Sequence, residues 1–136
     1  MPTADRVLLD THVLLWWKAD PDRLSPAAVD AIAEAAEILL SPISCWEVAM
    51  LVEKKRVALD RPTQDWIADV LAGERLELAQ LTASVAVAAA GLVNLHGDPA
   101  DRFIVATAEA LNAPLVTKDR LIHSYADGDS ALRAVW

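Results

Sequence analysis

Short apolar runs constrain this chain more than any other feature. Val7-Leu8-Leu9, Ile38-Leu39-Leu40 and Leu115-Val116 are each followed at once by polar residues and then by a helical pattern. Runs this short, flanked by charge, predict buried strands. Leu76 and Leu78 alternate with charged or small residues and predict a less buried strand, and Leu132 to Trp136 predicts an edge strand. Strands that alternate with helices predict an α/β chain whose parallel sheet is covered on both faces. In such sheets the ligand crevice lies at the carboxyl ends of the strands, and Asp10 stands at that end of the first run.

The helices are marked by their ends. Thr11 to Ala19 predicts a short helix, apolar nearly all round. Its adjacent Trp16 and Trp17 point in different directions, so one of them is a candidate partner surface. Asp20-Pro21-Asp22 predicts a turn, and Ser25 then caps a helix that begins at Pro26 and reaches about Ala36. Ser44 and Glu47 form an S-x-x-E capping box, which predicts a helix start there and a helix to Lys55 with Val48, Leu51 and Val52 inward. The Lys54-Lys55-Arg56 cluster either complements the dipole at that helix's end or meets phosphate. A helix opens at Arg61-Pro62-Thr63 and is expected to end at Gly73. Thr82 caps a helix rich in Ala and Val over residues 83–93, suited to close packing within the chain or between subunits. Asp98 as N-cap and Pro99 as first residue open the longest helix, ended by Asn112-Ala113-Pro114. A short helix over Leu121 to Tyr125 and a turn at Asp127-Gly128-Asp129 follow.

Composition narrows the function. A chain of 136 residues, 54% hydrophobic, suits one domain over residues 1–136 with a sizeable core. Its net charge of −8 disfavours nucleic-acid binding by the whole surface, so any such role rests on local basic groups and bound cations. Cys45 is the only cysteine, which excludes an intramolecular disulfide and a Cys-rich metal site and fits a reduced cytoplasm. No signal peptide is evident, and the longest apolar run, Val85 to Val93, is too short to span a bilayer.

Asp10, Glu47, Asp101 and Asp119 share a placement. Each follows a strand or falls in the first turn of a predicted helix. A purely structural role is open to each: a cap for Asp10, the capping box for Glu47, the helix dipole for Asp101. Yet Asp101 lies three and four residues before Ile104 and Val105, on the buried stripe. In a parallel sheet these junctions can line one edge, where four carboxylates repel unless protonated or bridged by cations. Oxygen donors without a Cys or His cluster point to Mg²⁺ or Mn²⁺, which can activate water and stabilise a phosphoryl transition state.

The order and context of these residues carry a resemblance. V-L-L-D-T-H-V-L-L-W at 7–16, S-x-x-E at 44–47, H-G-D-P-A-D-R-F-I-V-A-T-A at 96–108 and L-V-T-K-D at 115–119 closely resemble the PIN-domain family. Within it the chain is similar to the toxins of VapBC-type toxin–antitoxin pairs. The likeness covers nearly the whole chain and is weakest over residues 56–80. It implies a three-layer α/β/α sandwich with a central parallel sheet, and a metal-dependent endoribonuclease that hydrolyses RNA phosphodiesters. It further implies a cognate antitoxin that covers the active site, and a homodimer. Asp10, Glu47, Asp101 and Asp119 match the family's four acids, which hold Mg²⁺ or Mn²⁺; the fourth position varies in the family. Thr11 and Thr117 match supporting positions, and Asp98 matches an extra acid that supports the site or caps a helix. Arg102, Lys118 and Arg120 adjoin the acids and are candidate phosphate contacts, with surface ion pairing as the alternative. His12 and His96 fall near the site, but neither has the partner spacing of a catalytic base.

Other classes fit less well. A haloacid-dehalogenase-like phosphatase needs a second Asp two residues after the first, where this chain has His12. A nucleotide-binding module needs a Gly-rich turn, and none follows the first run. A non-catalytic acidic α/β binding protein stays open, to be separated by a test for metal-dependent cleavage.

Overall fold

The apolar runs lie side by side. In this computed structural model, which describes residues 5–128 and 130–136, five strands form one sheet. They are β1 (Arg6–Leu9), β2 (Glu37–Leu40), β3 (Leu76–Leu78), β4 (Leu115–Val116) and β5 (Ala134–Val135). All are parallel, in the order β3-β2-β1-β4-β5. Seven helices connect them: α1 (Thr11–Ala19), α2 (Pro26–Glu34), α3 (Pro42–Glu53), α4 (Thr63–Leu71), α5 (Ala83–Gly91), α6 (Pro99–Leu111) and α7 (Arg120–Asp127). A short 3₁₀ turn, Pro21–Arg23, precedes α2.

Alternation along the strands sorts the helices into two layers. Val7 and Leu9 of β1, with Ile38 and Leu40 of β2, pack against Leu14, Ile32, Val48 and Val70 from α1 to α4. Leu8 and Leu39 point the other way and meet Ile104 and Val105 of α6 and Ile122 of α7. Full burial of each such side chain contributes about 1.5–3 kcal/mol. Helix α5 sits outside α6, with Val85 and Ala89 against Ala106, so its small residues serve a contact within the chain. Its remaining face is open: Val87 is 74% exposed, and Val93 just beyond is 71% exposed. Among the described residues no helix is long and apolar enough to cross a membrane.

The strand order locates the crevice. From β1 the chain builds outward through β2 and β3, then returns to the opposite side of β1 with β4. The connections diverge between β1 and β4, which is where an open α/β sheet leaves room for a ligand.

Several predicted ends are corrected. The S-x-x-E box is not used. Ser41 caps α3, accepting from the Ile43 N–H at 3.1 Å, and Pro42 is the first residue. Proline is tolerated only in a helix's first turn, so it overrides a capping box three residues on. Glu47 therefore lies in the second turn of α3 and not the first. Helix α4 ends at Leu71 with Ala72 as its C-cap, so Gly73 follows the helix as expected, but the left-handed conformation falls at Arg75, φ 69°. Arg75 donates from its guanidinium to Ile32 O and Ala35 O at 2.8 and 2.7 Å, which binds β3's approach to the end of α2. Helix α5 stops at Gly91 rather than residue 93, α7 outruns the segment expected for it, and β5 is only Ala134–Val135. Of the predicted Asp127-Gly128-Asp129 turn, Asp127 closes α7 and Asp129 lies outside the described residues. The caps at Ser25, Thr82 and Asp98 stand as expected.

Asn112 ends α6 in the left-handed region, φ 50°, where Asn is tolerated and a residue with an apolar Cβ is strained. Asn112→Ala should cost about 1 kcal/mol, lowering the melting temperature by about 3–5 °C, while Asn112→Gly should cost little; thermal denaturation of the three proteins checks this.

Candidate metal centre

The end of β1 delivers Asp10 into the crevice. Asp10 is 7% exposed, and each of its carboxylate oxygens accepts a hydrogen bond. One oxygen accepts from the Thr11 N–H at 2.8 Å and the other from the Thr117 hydroxyl at 2.6 Å. Thr117 follows β4, so one hydroxyl ties the two central strands together at their carboxyl ends. The Thr117 hydroxyl oxygen in turn accepts from the Asp119 N–H at 3.1 Å, which sets the start of α7. Asp119 caps α7, accepting from Leu121 and Ile122 at 2.8 and 3.1 Å.

Glu47 reaches the site from α3. Its carboxylate accepts from the Thr11 hydroxyl at 2.5 Å, and Thr11 Oγ1 lies 2.9 Å from Ser44 Oγ. A hydroxyl has a single proton, so Thr11 gives it to the carboxylate and accepts from Ser44. Asp101 enters from the first turn of α6, buried as its place on the apolar stripe requires. His96 Nε2 lies 2.7 Å from its Oδ2. Asp98 caps α6 through the N–H groups of Ala100 and Asp101, at 3.0 and 3.4 Å.

These groups surround one cavity of about 420 Å³, lined by Asp10, His12, Trp16, Glu47, Asp98, Asp101, Lys118 and Asp119. Donor atoms of His96, Asp101 and Asp119 all lie within 4.8 Å of one another. Lys118 is the only Lys or Arg in the cavity wall among the described residues, against five carboxylates. The energetics follow. Burial, opposed by the Thr117 and Thr11 hydrogen bonds, holds the Asp10 carboxyl above its ordinary range. Burial also raises Glu47. Asp101 is pushed up to about 7, first by burial and then by the charges of Asp10, Asp98 and Asp119, against the His96 hydrogen bond. A carboxylate set this repulsive fits a divalent cation, and so does His96, whose buried Nδ1 has no partner among the described residues.

The chain matches the PIN domain family over residues 7–128. It belongs to that family. It is 44% identical over 120 residues to Ribonuclease VapC22 of Mycobacterium tuberculosis, covering 88% of this chain and 91% of that protein. Its fold is that of chains in VapBC structures. A chain of VapBC2 from Rickettsia felis, bound to a DNA fragment from its promoter, aligns with a TM-score of 0.67 and 20% identity, covering 96% of this chain and 99% of that one. VapBC-5 of Mycobacterium tuberculosis, from the VapBC family of toxin–antitoxin systems, aligns with a TM-score of 0.61 and 16% identity, covering 96% and 97%.

In this PIN domain the four acids suggested by the sequence, with Asp98, line one cavity. Thr11 orients Asp10 and Glu47, and Thr117 orients Asp10 and the backbone of Asp119. Three readings change. Arg102 is not free for phosphate. Its Nε donates to Ala89 O at 3.0 Å, Nη1 to Leu95 O and His96 O at 3.1 and 3.3 Å, and Nη2 to Ala90 O and Leu92 O at 3.1 and 2.7 Å. Those are all five guanidinium protons. Arg102 thus staples the end of α5 and the following loop onto α6, and that loop carries His96. Arg120 is exposed and does not line the cavity; Lys118 does. The candidate donor atoms are also not oxygen alone, because a His96 ring nitrogen lies among them. The resemblance sets His96 near the site, but spacing does not reveal its contact with Asp101, because it precedes α6 by a loop held by Arg102's hydrogen bonds and by the packing of Leu92 and Leu95.

A lysine at position 102 keeps the charge but has three protons for five carbonyls. Arg102→Lys should lose about 2 kcal/mol, about 1 kcal/mol for each hydrogen bond, read by chemical denaturation. A second prediction concerns Asp101, whose folded-state pKa lies above its unfolded value. The folded state then binds the extra proton, and ionisation costs stability increasingly as pH rises from the unfolded value toward about 7. In EDTA at pH 8, Asp101→Asn should melt at or above the wild type, and the difference should shrink as pH falls toward 4.5. If Asp101 served only the helix dipole, the substitution would instead cost about 0.3–1 kcal/mol.

Proposed function

We propose that this chain is a metal-dependent endoribonuclease and the toxin of a toxin–antitoxin pair. The observation that carries this reading is the single cavity in which Asp10, Glu47, Asp101 and Asp119 meet with little countercharge. The 44% identity to a protein named as a ribonuclease supports the same chemistry. Asp10, Asp101 and Asp119, with Glu47 and His96 beside them, would hold Mg²⁺ or Mn²⁺; the carboxylate majority favours these cations, and the imidazole suits Mn²⁺ better than Mg²⁺. When bound, the cation offsets the carboxylates, lowers the pKa of water and screens the phosphodiester.

The chain's own groups do the rest. Thr117 and the Thr11 N–H hold Asp10 in one orientation, and the Ser44–Thr11 hydroxyl relay does the same for Glu47. Lys118 supplies positive charge for the substrate phosphate at the cavity wall. In the net reaction, water's oxygen bonds to phosphorus and one ester P–O bond breaks, leaving one phosphomonoester end and one hydroxyl end. The VapBC neighbours support a protein antitoxin as partner. Trp46, 56% exposed beside Glu47 in sequence, supports an apolar contact near the site, and the open Val87 and Val93 face supports a homodimer.

Asp10→Asn and Asp101→Asn should each abolish RNA cleavage in Mg²⁺ or Mn²⁺ while circular dichroism stays that of the wild type. Cleavage that persists in EDTA, or in either folded variant, sinks the metal-dependent mechanism; no cleavage by the wild type leaves the non-catalytic reading. Mn²⁺ at a hundredfold excess over its dissociation constant should stabilise the wild type by about 2.7 kcal/mol and the Asp101→Asn protein by much less.

A further inference from the structure

The acid cavity accounts for the bond that breaks but not for how an anionic strand is held beside five carboxylates. A second cavity of about 580 Å³ adjoins it. The two share His12, Trp16, Glu47 and Asp98, so they form one continuous trough. The second adds Arg23 and Arg56 to its wall. In a chain of net charge −8, the trough wall still carries three cations: Lys118 in the first cavity, and Arg23 and Arg56 in the second, which Asp20 also lines.

Trp16 stands where the two cavities meet. Its ring is half-buried and braced: Trp136 lies 5.8 Å away, tilted by 59°, and His12 5.9 Å away, tilted by 49°. The Arg23 guanidinium lies over the ring, 4.7 Å from its centroid, and Lys118 Nζ 5.8 Å from it. An aromatic ring fixed by its neighbours, with exposed cations beside it, is the arrangement by which proteins hold unpaired nucleotides. A base stacked on the ring is worth more than an exposed guanidinium on the same ring.

We propose that Trp16 and Arg23 form a nucleotide subsite next to the cleavage centre: the Trp16 ring stacks an unpaired base adjacent to the scissile phosphate, and Arg23, displaced from the ring, takes that nucleotide's phosphate. The inference rests on the ribonuclease reading and deepens it. The substrate must be single-stranded at this point, because a base inside a duplex offers no free face.

The test uses the full chain with Mn²⁺ and a short, unstructured, 5′-labelled oligoribonucleotide, chosen from a randomised pool because the wild type cuts it at one position. A second set of oligonucleotides carries one abasic ribonucleotide on either side of the cut. An abasic residue at the subsite should raise the wild-type KM about 5- to 150-fold. Trp16→Leu should raise KM on the intact strand comparably, lower kcat far less, and erase the abasic penalty; Trp16→Phe should restore most of the loss. Arg23→Gln, on an exposed turn, should keep the abasic penalty and reduce the slope of log KM against log salt by about 0.7. If Trp16→Leu fails to fold, Trp16→Phe and Arg23→Gln carry the test. The proposal falls if folded Trp16→Leu, or Arg23→Gln in the salt series, behaves as wild type, or if the abasic penalty survives in Trp16→Leu. It also falls if Trp16→Leu weakens only the binding of a co-encoded protein, since the trough then serves a polypeptide. Wild-type cleavage with no effect of these substitutions overturns the subsite alone; no wild-type cleavage of the pool overturns the ribonuclease reading as well.

Discussion

The buried carboxylate of Asp10 is held at the one place in the sheet where the connections diverge. It accepts the Thr11 N–H on one side and the Thr117 hydroxyl on the other, so β1 and β4 are tied at their carboxyl ends by the group that the site is built around. A charge this buried is costly in an otherwise apolar layer, with Leu8, Leu9, Leu115 and Val116 all fully buried beneath it. Two hydrogen bonds offset part of that cost. The rest persists in the raised pKa of the acid itself, and again in Asp101 across the cavity. The fold therefore holds a destabilised cluster in place with the stability of its two apolar layers, and a cation is what the cluster is short of.

The supports of the cluster are neutral hydrogen-bonding groups or spent cations. Thr11, Ser44 and Thr117 orient carboxylates without neutralising them. Arg102 stands next to Asp101 in sequence, yet its five protons go to backbone carbonyls between Ala89 and His96. Spending a guanidinium on a loop leaves the cavity negative while fixing the loop that brings His96 to Asp101. Among the described residues, positive charge returns to the cavity walls at Lys118, Arg23 and Arg56, where an anionic strand would lie.

Much of this was legible along the chain because it depends on local rules. Short apolar runs became strands, Ser25, Thr82 and Asp98 became caps, and Asn112 became the left-handed end of α6, each through contacts within a few residues. The position of Asp101 on the buried stripe followed from helical spacing alone. Glu47 shows the limit of such rules: its capping box was a sound local pattern, but Ser41 and Pro42 offered an earlier start, and the shift by three residues put its carboxylate beside Thr11.

What the sequence by itself determined is the alternation of strands and helices, most helix starts, and four acids in an order that resembles a metal-dependent nuclease. Tertiary structure alone decided which of their neighbours join them. His96 reaches Asp101, Trp16 reaches both Trp136 and the acid cavity, and Arg102 is withdrawn from it. Each of these depends on atoms brought together by the crossing from β3 to β4 or by the return of the chain at β5. Periodicity describes one element at a time. Whether a cation faces solvent, a phosphate or five carbonyl oxygens is set by the packing of several elements, and their relative placement is carried by the whole core rather than by any stretch of it.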